Sequence, residues 1–326
     1  MHPRSIFRKD IIGWSLYDFA NTIYSMNILS LYFKRWIVTD LEKDGLYYDI
    51  GYSASMLLAG IIMPALGEIS DHGRNKKIFL FFFTLACCLA VATIPFLPVR
   101  MLVLIIILFG VSNFMYEGGM VFYNSLLYSV SDGKEARLVS GIGVALGYCG
   151  SIVGMILVLP WVTGSLYGLT LFGGEGYGKT GAFLPTAILF FLFSIPAFLW
   201  VKEKKDLIKK NGIKIKRAYL EVWKALKDTK KYPGVLRFLI ADYLFEDAVV
   251  TVILNIGVYS TIVLGFTDAS LTLFLIISTL SAMIGSFIIG RISQYVSLKK
   301  LMSSIVSGWI ITLMSVSYTH LRAHET

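Results

Sequence analysis

The sequence predicts an all-α polytopic membrane protein with about nine transmembrane helices, and three observations carry that expectation. The 326 residues are 56% hydrophobic and only 16% charged, whereas soluble domains carry about a quarter charged residues; mean hydropathy is +0.69. The apolar residues gather into runs of about 20, the length that crosses a hydrocarbon core of about 30 Å. A polar loop also recurs. Gly67-Glu-Ile-Ser-Asp-His-Gly-Arg-Asn-Lys-Lys77 returns 223 positions later as Gly290-Arg-Ile-Ser-Gln-Tyr-Val-Ser-Leu-Lys-Lys300, each time between apolar runs. Gly67/Gly290, Ile69/Ile292, Ser70/Ser293, Lys76/Lys299 and Lys77/Lys300 coincide. A loop repeated at fixed spacing implies two related halves, and parallel repeats of membrane helices are a transporter architecture.

The runs fall near 12–33, 48–67, 78–97, 101–123, 138–160, 182–201, 236–259, 269–290 and 299–316. They divide into a six-helix bundle over 1–201, a basic linker over 202–234, a partial second bundle of about three helices over 235–316 and a polar tail over 317–326. A full second copy would need three more spans, so the tail is expected to be non-native sequence or the natural chain to be longer. The first run carries a polar stripe and no small-residue cleavage pattern, which makes it a span and not a signal peptide. The second and third runs flank the loop Gly67–Lys77. Only Pro98–Arg100 separates the third from the fourth, which forces a tight helical hairpin. The fifth holds Gly143-x-x-x-Gly147 and Gly150-x-x-x-Gly154. Such spacing bares backbone on one face, for close packing or for a gating movement. Glycines 173, 174, 176 and 178 surround Glu175 after that run, with no preceding strand and no GK[ST] ending; this is a flexible loop and not a nucleotide cradle.

The net charge of +9 could suggest nucleic acid, but the positives sit in short loops between apolar runs, the pattern of cytoplasmic loops. With the amino terminus inside, inner segments hold 23 Lys and Arg and outer segments five: Lys34, Arg35, Lys43, Arg100 and Lys179. The amino terminus is therefore expected in the cytoplasm, in a bacterial inner membrane, with lipids as partners and no nucleic acid. The linker alone carries twelve of those cations, and Tyr219, Leu220, Trp223 and Leu226 form an apolar stripe among its lysines. A helix lying on an anionic leaflet and a solvated connector both fit. Cys87, Cys88 and Cys149 all lie inside apolar runs and give neither a disulfide framework nor metal spacing. His2, His72, His320 and His324 lie outside the spans, so no HExxH pattern and no intramembrane Ser/His pair exists. No metal and no cofactor is expected, and an enzyme is disfavoured.

Ionisable groups inside spans mark function, because each costs about 2.5–3.5 kcal/mol at the bilayer centre. In the first span Ser15, Asp18, Asn21 and Ser25 follow at intervals of three, three and four, with Tyr17 and Tyr24 broadening the face. The fourth adds Glu117 beside Gly118 and Gly119, and the seventh Asp242, Glu246 and Asp247. Asp247 lies about 17 Å into its helix, near mid-membrane. Tyr17-x-Phe19 and Tyr243-x-Phe245 align the two stripes, setting Asn21 opposite Asp247. A lone buried carboxylate is a structural hydrogen-bonding group in the simplest case. Five of them, with no Lys or Arg expected deep in any span, point to a water-filled acidic cavity that loads and releases a cation, most simply H+; Asp247, the deepest and opposite the uncharged Asn21, is the first choice for the proton site and Asp18 the second. Asp242 is the exception, since Arg237 lies near enough to snorkel towards it.

The loop Gly67–Lys77 resembles the major facilitator superfamily's G-x-x-x-D-(R/K)-x-G-R-(R/K)-(R/K) between spans two and three. Gly67, Asp71, Lys76 and Lys77 match in register, Gly73 and Arg74 fall one place early, and His72 replaces a basic residue. In the second copy Gln294 stands where the acid would be. Tyr17-Asp-Phe-Ala-Asn21, Phe122-Tyr-Asn124 and Ser140-Gly-x-Gly-x-Ala-Leu-Gly-Tyr148 are similar to the branch of fungal vacuolar amino-acid effluxers and their bacterial relatives. The resemblance implies a major-facilitator-like fold, rocker-switch transport of a small-molecule substrate without ATP, and more weakly an amino acid as that substrate. It also implies that Asp71 acts as a latch between half-domains, and that Asn124 joins Tyr17, Asp18, Asn21, Glu117, Glu246 and Asp247 along the pathway. A membrane sensor or scaffold on the same fold is the alternative from another class.

Overall fold

The computed structural model describes residues 8–72, 75–131, 134–166, 169–170, 175–203, 214–232, 234–292 and 295–324. The side chains of residues 71–72, 134, 137, 230, 290, 298 and 316–324 are outside the description. Arg74 therefore lies outside the described residues, as do Asp71's side chain and the immediate surroundings of Gly290. The chain forms two compact units, 1–276 and 277–326.

The first unit is built around one continuous helical rod. It begins as α1, Lys9–Tyr24, runs on as a π-helix over Ser25–Tyr32, tightens for the single turn Phe33–Arg35, and ends in a second π stretch, Trp36–Asp40. The π geometry is explicit at Phe33, whose amide bonds the carbonyl of Ile28 five residues back. Such stretches are rare overall and frequent at functional sites. The rod is buried nearly all round: Ile11, Trp14, Tyr17, Ala20, Ile23 and Tyr24 are at most 3% exposed. A helix sealed on every side is the core of its bundle.

Around it stand α2 (Leu46–His72), α3 (Lys76–Thr93), α4 (Leu102–Val130), α5 (Lys134–Thr163) and α6 (Phe183–Trp200). α5 and α6 pack on α1; α4 packs on both α2 and α3. Stacked rings fix the layers, with Trp14 on Tyr123 at 4.5 Å and Phe33 on Phe109 at 4.2 Å. The hairpin expected at Pro98–Arg100 is two short 3-10 turns, Ile94–Phe96 and Val99–Met101. After α5, Ser165–Leu166 (β1) pairs antiparallel with Leu169–Thr170 (β2). The linker contributes α7 (Ile215–Asp228), followed by α8 (Val235–Ile262) and α9 (Asp268–Ile292). The second unit comprises the later part of α9 and α10 (Leu298–His324).

Large apolar side chains such as Leu57, Phe82, Val103 and Leu199 lie exposed on the outer faces of the first unit. In water that surface would be unstable; in lipid it is the normal finish, since helices satisfy their own backbone polar groups. Six helices among the described residues are long and apolar enough to cross a membrane: Leu46–Ser70, Lys76–Phe96, Val99–Val130, Leu138–Thr163, Lys179–Trp200 and Asp268–Ile289. The chain is thus an all-α polytopic membrane protein. The runs expected at 12–33, 236–259 and 299–316 are helical but outside those six. All three are richer in polar residues: the first carries Asp18, Asn21, Asn27 and several hydroxyl residues, and the other two several charged or hydroxyl residues.

Candidate functional site

The polar stripe of α1 faces α4 and α5 and forms a short chain of hydrogen bonds. The amide nitrogen of Asn21 donates to Oδ1 of Asp18 at 3.1 Å, and the Tyr116 hydroxyl donates to Oδ1 of Asn21 at 2.6 Å. Asn21 also reaches the Met120 sulfur at 3.3 Å. Spacing of three on a helix brings Asp18 and Asn21 together; Tyr116 comes from α4. Asp18 is half-buried, and no ion pair to it occurs among the described residues.

The other carboxylate oxygen of Asp18 lies against bare backbone. A Cβ on Gly143 would stand 3.3 Å from Oδ2, and one on Gly147 3.5 Å from it. The same face of α5 closes on α1 below: a Cβ on Gly150 would meet the Phe19 carbonyl oxygen at 2.1 Å, and one on Gly154 would meet Ile23 at 2.9 Å. Thr22 fastens the contact by donating to the Gly147 carbonyl at 2.7 Å. The four glycines let the two helices touch backbone to backbone and leave the carboxylate beside a hydrogen-only wall.

Other expected site residues are distributed differently. Tyr17 is 2% exposed, shares a hydrogen bond of 2.8 Å with Thr84 and stacks on Tyr123 at 5.0 Å, which makes it part of the packing beside Asp18. Glu117 is half-buried next to Tyr116, with no hydrogen bond or ion pair among the described residues. Asn124 is exposed on α4. Glu246 and Asp247 are exposed on α8, and among the described residues no hydrogen bond joins them to the Asp18 chain.

Two basic residues add partners that the sequence reading did not assign. Lys34 and Arg35, placed above in an outer segment, continue the rod and are only 5% and 1% exposed. Lys34 Nζ donates to Asp49 at 2.6 Å and to Asn255 of α8 at 2.7 Å. Arg35 donates to Thr261 of α8 at 2.8 Å and to Asp268, the first residue of α9, at 2.7 Å. Gly257 allows this approach, since a Cβ there would stand 3.0 Å from Cδ of Arg35. Asp49 lies 15 positions from Lys34, but Asn255, Thr261 and Asp268 lie more than 200 positions from the rod, where no local window sees them.

At the opposite end of α2, the loop Gly67–Lys77 is tied to the linker. The Glu203 carboxylate accepts from the backbone amides of Asn75 and Lys77 at 3.0 and 2.9 Å, and Lys77 Nζ donates to the Val201 carbonyl at 2.8 Å. An acid thus caps the start of α3 and a cation the end of α6, each with the favourable helix-dipole sign. Among the residues of the second copy, Lys299 and Lys300 are exposed at the start of α10.

A family model described as "vacuole effluxer Atg22 like" matches residues 47–321. The chain is 27% identical over 295 residues to an uncharacterized MFS-type transporter, YxiO, of Bacillus subtilis (strain 168), covering 88% of this chain and 68% of that protein. It is 21% identical over 313 residues to autophagy-related protein 22 of Coccidioides immitis (strain RS), covering 76% and 50%. With autophagy-related protein 22-2 of Penicillium rubens the identity is 28% over 205 residues, covering 56% and 32%. The chain spans half or less of the length of these two fungal relatives. No solved structure matches it.

Proposed function

The chain belongs to the vacuole effluxer Atg22-like family, a transporter branch of the major facilitator superfamily with bacterial members, and from that premise we propose that it moves a small solute by alternating access. In this reading nine spans form a major-facilitator-like fold, six of them in its first half. The positive-inside count supports an amino terminus on the cytoplasmic side, and the bacterial relative supports a bacterial inner membrane as the location. The substrate class is an amino acid and the direction efflux, which rests on family resemblance alone. The chain is a transporter and not an enzyme.

The observation that carries the coupling is the Asp18–Asn21–Tyr116 chain. Asp18 has no cationic partner among the described residues and one oxygen turned to the bare backbone of α5. A carboxylate so placed can exchange a proton without breaking a salt bridge, and Asn21 and Tyr116 hold it in place in either state. We therefore rank Asp18 ahead of Asp247, Glu246 and Glu117 as the proton site, with Asn21, Tyr17 and Asn124 along the pathway.

The test is transport by the full-length protein in proteoliposomes. Labelled amino acids should exchange across the membrane in counterflow and accumulate when a pH gradient is imposed. Saturable binding without counterflow would replace the transporter with a sensor on the same fold.

A further inference from the structure

We propose that α7 is a docking surface for anionic lipid, with its Lys216–Leu220–Trp223–Lys227 edge seated at the bilayer interface. The helix has three distinct sides. Ala218 is 8% exposed against α2, and beside it the Tyr219 hydroxyl donates to the Ile61 carbonyl at 2.8 Å. A second side neutralises itself, through Arg217–Glu221 at 2.7 Å and Lys231–Asp228 at 2.7 Å. The third side has no protein partner among the described residues. Lys216, Leu220, Trp223 and Lys227 follow at intervals of four, three and four, which aligns them on one edge. Leu220, Trp223 and the adjacent Leu226 are 58%, 66% and 56% exposed. Glu221 and Asp228, the acids of α7, are paired with Arg217 and Lys231, and Lys224 stands on their side near Asp228; Lys216 and Lys227 are exposed with no ion-pair partner among the described residues.

Apolar side chains flanked by unpaired lysines fit one surface well. The apolar part enters the acyl boundary while the ammonium groups snorkel to anionic headgroups. The attachment sets a matching depth: Ile61 lies six residues before Gly67 on α2, which is about 9 Å along the helix axis. Interfacial helices bury their apolar face by about 5–10 Å. The Lys214 amide, bonded to the Glu68 carboxylate at 2.9 Å, fixes the start of α7 at the polar end of α2. The inference needs only that α2 crosses the membrane, so it stands or falls separately from the transport reading.

Hydrogen–deuterium exchange of the whole chain in nanodiscs tests it. Amides of 215–228 should exchange more slowly in phosphatidylserine-containing nanodiscs than in phosphatidylcholine alone, and high salt should remove the difference. Each lysine at an anionic surface shifts the binding equilibrium constant by about fivefold. The K216Q/K227Q variant should therefore return exchange in phosphatidylserine to the phosphatidylcholine rate, with α1–α6 amides unchanged. A Trp223→Ala variant should weaken protection in the same way. Equal exchange in both lipids overturns the proposal. So does protection that depends on protein concentration instead of lipid charge, which would assign the edge to a second copy.

Discussion

At the scale of single residues, Asp18 and the glycines of α5 make opposite demands on the same contact. Gly143 and Gly147 leave room for a carboxylate oxygen, whereas Gly150 removes all room between helices. Gly150→Ala puts a methyl 2.1 Å from the Phe19 carbonyl oxygen, and forcing the helices apart costs about 1–3 kcal/mol. Gly141→Ala meets nothing within 4 Å and gains helix propensity of up to about 1 kcal/mol. Thermal unfolding in detergent should show Gly150→Ala lowered and Gly141→Ala unchanged or raised; equal midpoints would remove the close-contact role of Gly150. Asp18→Asn keeps the shape and hydrogen bonding but cannot release a proton. It should cut pH-driven accumulation at least tenfold while preserving counterflow. Accumulation that survives both Asp18→Asn and Asp247→Asn would end the case for these acids as the coupling site. The spacing of Asp18 and Asn21 was legible because a helix dictates it. Tyr116 was not, since its bond to Asn21 crosses 95 positions.

At the scale of elements, the rod and the Gly67–Lys77 loop show where local reading stops. Apolar windows end the first span at Phe33 because Lys34 and Arg35 follow, yet the helix runs seven residues further to Asp40. Charges interrupt a hydropathy profile but not a backbone when distant groups satisfy them. Truncating one member of a buried pair is costly because the other is left without its partner. Arg35→Met should thus destabilise the chain by about 3 kcal/mol, and a double-mutant cycle with Asp268→Asn should recover part of that loss. Strict additivity would mean the two do not interact. The loop's lysines read in the sequence as signals of a cytoplasmic loop. Glu203, from beyond the linker boundary, supplies the acid that α3 lacks in its own first turn. Glu203→Gln should lower thermal stability by about 1 kcal/mol, with Lys77→Gln having a similar effect on the α6 side. No change in either variant would reduce the clasp to a passing contact.

At the scale of the whole molecule, the membrane class, the order of helices and the close approach of α5 to a neighbour follow from apolar run length and glycine spacing. The long-range joints do not, because hydrogen-bond partners 200 positions apart leave no periodic trace. One such joint bears on transport. Lys34 and Arg35 of the rod meet Asn255, Thr261 and Asp268, which belong to the proposed second half. Two halves that rock about a central cavity must part at one end as they close at the other. A polar joint of several hydrogen bonds can hold one such state and still yield, because water replaces each bond once the end opens. Linking Lys34→Cys to Asn255→Cys with a reducible bifunctional reagent should therefore stop counterflow in the full-length protein, and reduction should restore it. The single-cysteine variants, treated alike, should keep most of their activity. Counterflow that continues at the unlinked rate in the cross-linked protein would show that this end never opens, and the rocking mechanism would have to be abandoned for this chain.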